Sequence, residues 1–299
     1  MSIHEHSNDL PMSSPQGATP NGTIAYSNKS CEAFAGVRNH DGKFFTGYQW
    51  QCVEFARRWL WDQKGLMLPD IDIAAEIFFV PHMYDPVTHT EVPVRSVRNG
   101  GKQKPTAGTY LIYAPATDNF PGHIAVITHV GTDHVLVADQ NRDFRKWPAP
   151  GNYAIKFPLA HDAAKGTWTI IDKEDPIIGW VEFPGRDDVH LETPEADTWT
   201  DEAGVVHAKM RRPIPADFDV IPDYSPKVRR GTFWSAMFAY RPHWAVMPFM
   251  LARILLMMVY FTTKHRVKRQ LGKLLCAVGL RKPSAEDKKA DQSGAPMTG

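Results

Sequence analysis

Cysteine is scarce. The chain of 299 residues has three, Cys31, Cys52 and Cys276, an odd and sparse set that excludes a disulfide framework and suits a reducing compartment. Net charge is nearly absent as well: 34 Lys and Arg stand against 33 Asp and Glu, a formal +1. Bulk charge therefore gives no reason to expect nucleic acid or an acidic substrate as a partner. No apolar run opens the chain. Residues 1–16, MSIHEHSNDLPMSSPQ, are polar and partly acidic, which argues against a secretory signal or matrix presequence, so the folded domain is expected not to be exported. No internal repeat is visible. His4 and His6 have no further ligands at useful spacing, so no metal site and no cofactor is expected.

What is present suffices for a core. Hydrophobic residues make up 43% of the chain, an ordinary globular share. Residues 1–22, rich in Ser, Pro, Asn and Gly, read as a disordered lead-in. From 23 to 185 apolar segments recur between turn signals. Cys52, Phe55, Ala56, Trp59 and Leu60 fall at i, i+3, i+4, i+7 and i+8, one apolar face of a helix that Gly65 can stop. A second helix is predicted over Ile73–Val80, ended by Pro81. The period then changes to that of short β-branched strands at Thr109–Tyr113, His123–Val130 and His134–Ala138, the last two joined by a tight hairpin at Gly131-Thr132-Asp133. Thr167–Ile171 and Ile177–Phe183 add two more. Helices followed by an antiparallel sheet make an α+β fold. Residues 186–242 are charged and proline-broken and read as an extended linker.

Three residues fit nucleophilic catalysis. A reactive thiol needs a lowered pKa, a base within reach and a group that holds the base. Cys52 opens the first helix, where unpaired N–H groups and the positive end of the dipole favour a thiolate. Gln51 stands directly before it, where its amide can act as an oxyanion donor beside the Cys52 N–H. A cysteine on a helix's apolar face is more often a core residue; the downstream order changes that reading. His123 follows Pro121-Gly122 at the mouth of one strand, and Asp139 ends the next. Adjacent antiparallel strands can set the two side by side, so that the carboxylate fixes the imidazole tautomer. His129 reads as a structural or edge residue, His134 as a solvated one, and Cys276 as a packed thiol.

These residues carry a resemblance. Gly47-Tyr48-Gln49-Trp50-Gln51-Cys52-Val53-Glu54-Phe55-Ala56-Arg57-Arg58-Trp59-Leu60 strongly resembles the nucleophile helix of the CHAP amidase domain of glutathionylspermidine synthetase/amidase. Gly122-His123-Ile124-Ala125-Val126-Ile127-Thr128 resembles that family's histidine strand, Ala138-Asp139-Gln140-Asn141 the segment of its acid, and Ile178-Gly179-Trp180 the motif near the domain's end. The likeness covers about residues 22–185. It implies a papain-like fold of the CHAP/NlpC-P60 type, with a helix-borne cysteine packed on an antiparallel sheet. It also implies hydrolysis of a glutathionyl-polyamine amide through a thioester. Cys52 is then the nucleophile, His123 the base and acid, and Arg57 and Asn141 substrate contacts; the bland reading of Arg57 is a solvated helix face. Asp139 stands where the amidases carry a glutamate. Its arm is one methylene shorter, so a longer His contact or a shifted strand is expected. At this length no room remains for the family's synthetase domain, so ATP-dependent synthesis is not expected.

The most apolar stretch lies elsewhere. Trp244–Thr262 is about long enough to span a bilayer. Arg253 near its middle costs about 2.5–3.5 kcal/mol on insertion scales, which the surrounding Leu, Ile, Met, Val and Phe can outweigh. Basic residues flank both ends. Residues 243–263 are thus expected to span a membrane, with a membrane-surface helix or a docked soluble helix as the alternatives, followed by a basic and then polar tail over 264–299. Three functions fit: a membrane-tethered thiol amidase acting on a small peptide-like or glutathionyl-polyamine amide; a catalytically silent CHAP-fold scaffold with membrane-protein partners; or a peptidoglycan peptidase. For the first two the domain is expected on the cytosolic side, the mitochondrial outer membrane being one candidate for the scaffold.

Overall fold

The computed structural model describes residues 9–30, 36–116, 121–187, 198–200, 206–208, 212–218 and 220–239, with positions 202 and 204. All of these fall in one unit, Met1–Tyr240. The apolar stretch 243–263, the tail 264–299, His4, His6, Cys31 and Cys276 lie outside the described residues. Among the described residues no helix is long and apolar enough to cross a membrane.

In chain order the elements are β1 (Pro15–Ala18), β2 (Ile24–Tyr26), β3 (Arg38–Asp41), β4 (Phe44–Tyr48), helix α1 (Cys52–Lys64), a 3₁₀ helix (Ala74–Phe79), β5 (His82–Asp85), β6 (Thr90–Pro93) and β7 (Arg95–Arg98). There follow β8 (Thr109–Tyr113), β9 (His123–Val130), β10 (His134–Ala138), β11 (Ile155–Asp162), β12 (Thr167–Ile170), β13 (Ile177–Glu182), β14 (Thr198–Thr200), β15 (Val206–Ala208) and helix α2 (Pro226–Met237). The main sheet has seven strands in the order β12-β11-β10-β9-β8-β13-β7, and every neighbouring pair is antiparallel. The arrangement is an antiparallel sheet with few helices. Alternate residues of its strands bury one continuous cluster that includes Leu111, Ala125, Val135, Val137, Phe157 and Trp180, the period-2 pattern that a half-buried sheet requires.

Helix α1 ends as its sequence predicts. Gly65 is left-handed, φ 62°, and its N–H reaches Trp61 O, a position that glycine occupies without a Cβ penalty. Tyr110 of β8 donates its hydroxyl to Ala56 O at 2.6 Å and stacks obliquely on Trp59 at 5.3 Å, so the helix lies against the sheet.

Three segments differ from the sequence expectation. Ile73–Val80 forms a six-residue 3₁₀ turn and not an α-helix. Six residues closed by an extended Val80 and Pro81 are too few for a stable α-helix, and short 3₁₀ pieces are what such connectors adopt. The lead-in is not disordered over 9–22: β1 pairs with β2, and buried Gln16 donates to Arg145 O at 3.0 Å. The linker is not simply extended: it contributes β14, β15 and α2, with Ser225 capping α2 and Pro226 at its first position. All but Val53 of α1 is buried, and this explains both departures. The polar side of α1 needs partners, and the two flanking segments supply them. Thr23 Oγ1 donates to Asp62 at 3.0 Å, Arg58 donates to Ile24 O at 2.8 Å, Arg212 donates to Asp62 O at 3.3 Å, and the Trp61 indole donates to Arg212 O. Paired backbone and side-chain groups of this kind cost little to bury, whereas bare ones cost about 1–3 kcal/mol each.

Candidate active site

The site lies where the start of α1 meets the ends of β9 and β10. Gln51 is the residue before the helix, extended at ψ 157°, and no side chain caps the helix. Cys52, 8% exposed, is therefore presented at the positive end of α1. His123 begins β9. Gly122 before it has φ +65°, and a Cβ there would lie 2.6 Å from Tyr113 O, so only glycine lets β9 start this close to β8. Asp139 follows β10, whose Ala138 pairs with Val126 of β9. That register brings Asp139 Oδ1 to 2.6 Å from His123 Nε2. Of the two outcomes expected for the shorter aspartate arm, the contact is not lengthened, and the β9–β10 register does shift, between Leu136 and Val137.

With Nε2 taken by Asp139, the other imidazole nitrogen is left for Cys52, whose side chain lies close enough to help raise His123. Burial works against an imidazolium here. The charges of Asp139 and Cys52 outweigh it and push His123 up to about 10. The arrangement can hold a thiolate–imidazolium pair, the form in which a cysteine attacks a carbonyl carbon.

Gln51 and Asn141 form one unit. Asn141, itself at φ 71°, donates Nδ2–H to Gln51 Oε1 at 2.9 Å and accepts from Asn28 Nδ2 at 2.8 Å. Because the Gln51 side-chain oxygen is the acceptor, its Nε2 remains as a donor. Asn141, expected to touch substrate, is engaged in orienting Gln51. Arg57 is not on a solvated face. It is 5% exposed and donates to Pro69 O and Asp70 Oδ1, both at 3.2 Å. Burial lowers its pKa, and Asp70 opposes that shift. Arg57 lines a cavity of about 320 Å³ with Lys43, Phe45, Leu68, Asp70 and Phe218, and stands five residues, about 7.5 Å along the helix axis, from Cys52. His129 is exposed and His134 pairs with Asp133 at 2.8 Å, both away from this group. Among the described residues no cluster of His, Cys, Asp and Glu could hold a metal ion.

A buried network that sequence reasoning did not anticipate fixes the joint. Glu54 accepts from Arg58 Nε at 2.6 Å, Arg58 Nη2 at 3.1 Å, Asn39 at 2.8 Å and Gln140 at 3.0 Å. Gln140 also donates to Gln51 O at 3.0 Å and accepts from Tyr26 N at 2.8 Å. The residue between Asp139 and Asn141 thus pins their loop to the residue before the thiol. The signal available in the sequence was the Glu54–Arg58 spacing of four, an ion-pair spacing on a helix.

Comparison with known proteins finds a family and relatives for the chain. Residues 43–141 match the CHAP domain family. Over 181 residues, 59% of the chain, it is 46% identical to trypanothione synthetase of Crithidia fasciculata, covering 27% of that protein. Over 205 residues, 65% of the chain, it is 29% identical to bifunctional glutathionylspermidine synthetase/amidase of Escherichia coli (strain K12), covering 33% of it. Over 181 residues it is 30% identical to glutathionylspermidine synthase of Crithidia fasciculata, covering 24%. The chain thus spans a quarter to a third of the length of these curated relatives. Residues 43–141 of this chain are a CHAP domain, related to enzymes whose amidase domain is a CHAP domain.

Proposed function

We propose that the chain is a cysteine amidase that hydrolyses a glutathionyl-polyamine amide such as glutathionylspermidine. The observation that carries this reading is His123 held between the Asp139 carboxylate and the Cys52 sulfur. The sulfur adds to the amide carbon, and the oxyanion is met by Gln51 Nε2–H and the Cys52 N–H. His123 gives its proton to the departing amine as the C–N bond breaks, leaving a thioester and the free polyamine. His123 then takes a proton from water, which attacks the thioester and releases the glutathionyl carboxylate and the thiol. The cavity beside Arg57 supports the substrate class, since Lys43 and Arg57 suit a carboxylate and Asp70 an ammonium group. The test is hydrolysis of glutathionylspermidine by the wild type, Cys52→Ala and His123→Ala. Only the wild type should release free polyamine; a Cys52→Ala variant as fast as the wild type would reject the reading.

We further propose attachment to a membrane through residues 243–263. One structural observation favours it. Lys227, Arg230, Trp234 and Phe238 lie along the outward side of α2, with Trp234 51% and Phe238 53% exposed. A basic and aromatic stripe shortly before an apolar run suits a lipid interface. The full-length protein should co-sediment with anionic phospholipid vesicles, and Trp234→Ser/Phe238→Ser should weaken this severalfold. No sedimentation of the wild type would reject it.

A further inference from the structure

Three buried side-chain atoms near the proposed catalytic acid have no hydrogen-bond partner: Asp139 Oδ2, Tyr113 Oη and Arg142 Nη1. They are one acceptor and two donors. Tyr113 is the cross-strand partner of His123 on β8 and β9, with ring centroids 5.5 Å apart. Burial holds its hydroxyl well above the ordinary value, so it remains a donor. Arg142 follows Asp139 by three residues, and its guanidinium carbon lies 5.1 Å from the centre of the Tyr113 ring. The guanidinium is held from behind by Asp172 at 2.7 Å, with Asp175 at 3.3 Å and Glu174 at 3.5 Å. The Asp172 side chain is 3% exposed and that of Arg142 14%, so this is a built ion pair and not a surface contact.

We propose that Arg142 and Tyr113 are positioning residues for Asp139, presenting a cation and a phenol on the side of its outer oxygen and keeping the carboxylate turned toward His123. The inference rests on Asp139 being the acid of the catalytic row. A buried carboxylate with one oxygen on an imidazole and the other bare is a costly arrangement. A phenol and a guanidinium beside it supply the matching donors. The row then runs Cys52, His123, Asp139, Arg142, Asp172, with charges of alternating sign.

The sign of the effect follows. The groups facing Asp139 are His123 on β9, Tyr113 on β8 and Arg142 on its own loop, with Cys52 of α1 beyond His123 and Asp172, Glu174 and Asp175 beyond Arg142. Removing the guanidinium takes away the cation on the far side of the carboxylate and the group that keeps it turned toward His123. A less well held carboxylate supports the imidazolium less, and the acid limb of thiol reactivity moves up.

The test is the rate of Cys52 alkylation by iodoacetamide from pH 4 to 9 in the full-length protein, beside Arg142→Gln, Arg142→Lys and Tyr113→Phe. Arg142→Gln should raise the midpoint of the acid limb by about one pH unit, the low end of what a close opposite charge contributes. Arg142→Lys should restore most of that shift, and Tyr113→Phe should give a smaller one in the same direction. Amide hydrolysis should lose kcat with KM unchanged. A midpoint unmoved in Arg142→Gln, with only a lower melting temperature, would overturn the inference, because a purely structural ion pair does exactly that much and no more. If Arg142→Gln does not fold, an unmoved midpoint in Tyr113→Phe overturns it equally. Alkylation needs no amide substrate. A wild type inert toward glutathionylspermidine whose midpoint still moves in Arg142→Gln would reject the substrate reading and leave this one standing.

Discussion

Replacing Arg58 by methionine tests what holds the helix start to the sheet. Glu54 has four donors on its two oxygens, two of them from Arg58 at 2.6 and 3.1 Å. Glu54 is 0% and Arg58 4% exposed, so solvent cannot replace what is lost. Methionine keeps most of the volume, so the cost is chiefly electrostatic. Two hydrogen bonds to a charged group contribute about 1.5–3 kcal/mol each, and breaking a buried pair by removing one partner costs about 3–5 kcal/mol. The expected loss is therefore about 4 kcal/mol, a large share of the roughly 5–15 kcal/mol that stabilises a domain. In a urea titration with a slope near 2.5 kcal/mol/M, the midpoint should fall by about 1.5 M. Glu54→Leu/Arg58→Met, which leaves no lone charge, should lose less than the sum of its single variants, with a coupling of at least about 1.5 kcal/mol. An Arg58→Met protein within about 1 kcal/mol of the wild type would refute the reasoning, since it would mean that water or a rearranged loop compensates Glu54.

Other perturbations follow from the same geometry. His123 is raised by Asp139 and Cys52 above its unfolded value to about 10; its contribution to stability is fully present below about pH 6.5 and is lost as pH rises through about 10. Unfolding free energy measured from pH 6 to 10.5 should therefore fall, and the fall should be much shallower in His123→Gln. Gly122→Ala forces a side chain into a left-handed φ, at about 1–2 kcal/mol, and against Tyr113 O. It should lower stability by at least that much and slow Cys52 alkylation as His123 is displaced. Gln51→Ala should lower kcat about 100-fold with little change in KM, the usual cost of an oxyanion donor. Asn141→Ala should do the same to a smaller extent, and both should leave alkylation of Cys52 intact.

Much of the site was legible in the sequence because its parts lie where periodicity changes. Cys52 is the first residue of a 3.6-period run, and His123 and Asp139 bracket two period-2 runs joined by a three-residue turn. Turn length alone then sets the two near each other on adjacent strands. The supports were not legible. Gln140 and Asn39 bond to Glu54 from 86 and 15 residues away, and no local pattern marks a pair that meets only after folding. The burial of the polar face of α1 was not legible either, because a single sequence gives no sign that distant segments will cover it. For the same reason residues 9–22 and 212–237, poor in long apolar runs, read as lead-in and linker. Their order comes from bonding to α1 and to the 3₁₀ helix, as when Thr232 of α2 donates to Glu76 at 2.9 Å, and from apolar contact with the rest of the domain, as when Ile214, Phe218 and Ile221 pack with Phe44, Trp61 and Met67.

That wrapping bears on the chemistry. A nucleophile at a helix tip is only as well placed as the helix, and α1 is held on one side by contact with the sheet and on the other by polar bonds from both flanking segments, with Trp61 packed on Phe218. Hydrophobic contact fixes distance but tolerates sliding, whereas hydrogen bonds to Asp62, Arg58 and Glu54 fix rotation about the helix axis. The rotation is what aims the Cys52 sulfur, since a turn of one residue's worth, about 100°, would carry it off His123. The flanking segments are thus part of the active-site scaffold. Weakening their contacts, as Thr23→Val would by removing a 3.0 Å bond to Asp62, should slow Cys52 alkylation more than it lowers the melting temperature; equal loss in both would make them mere ballast.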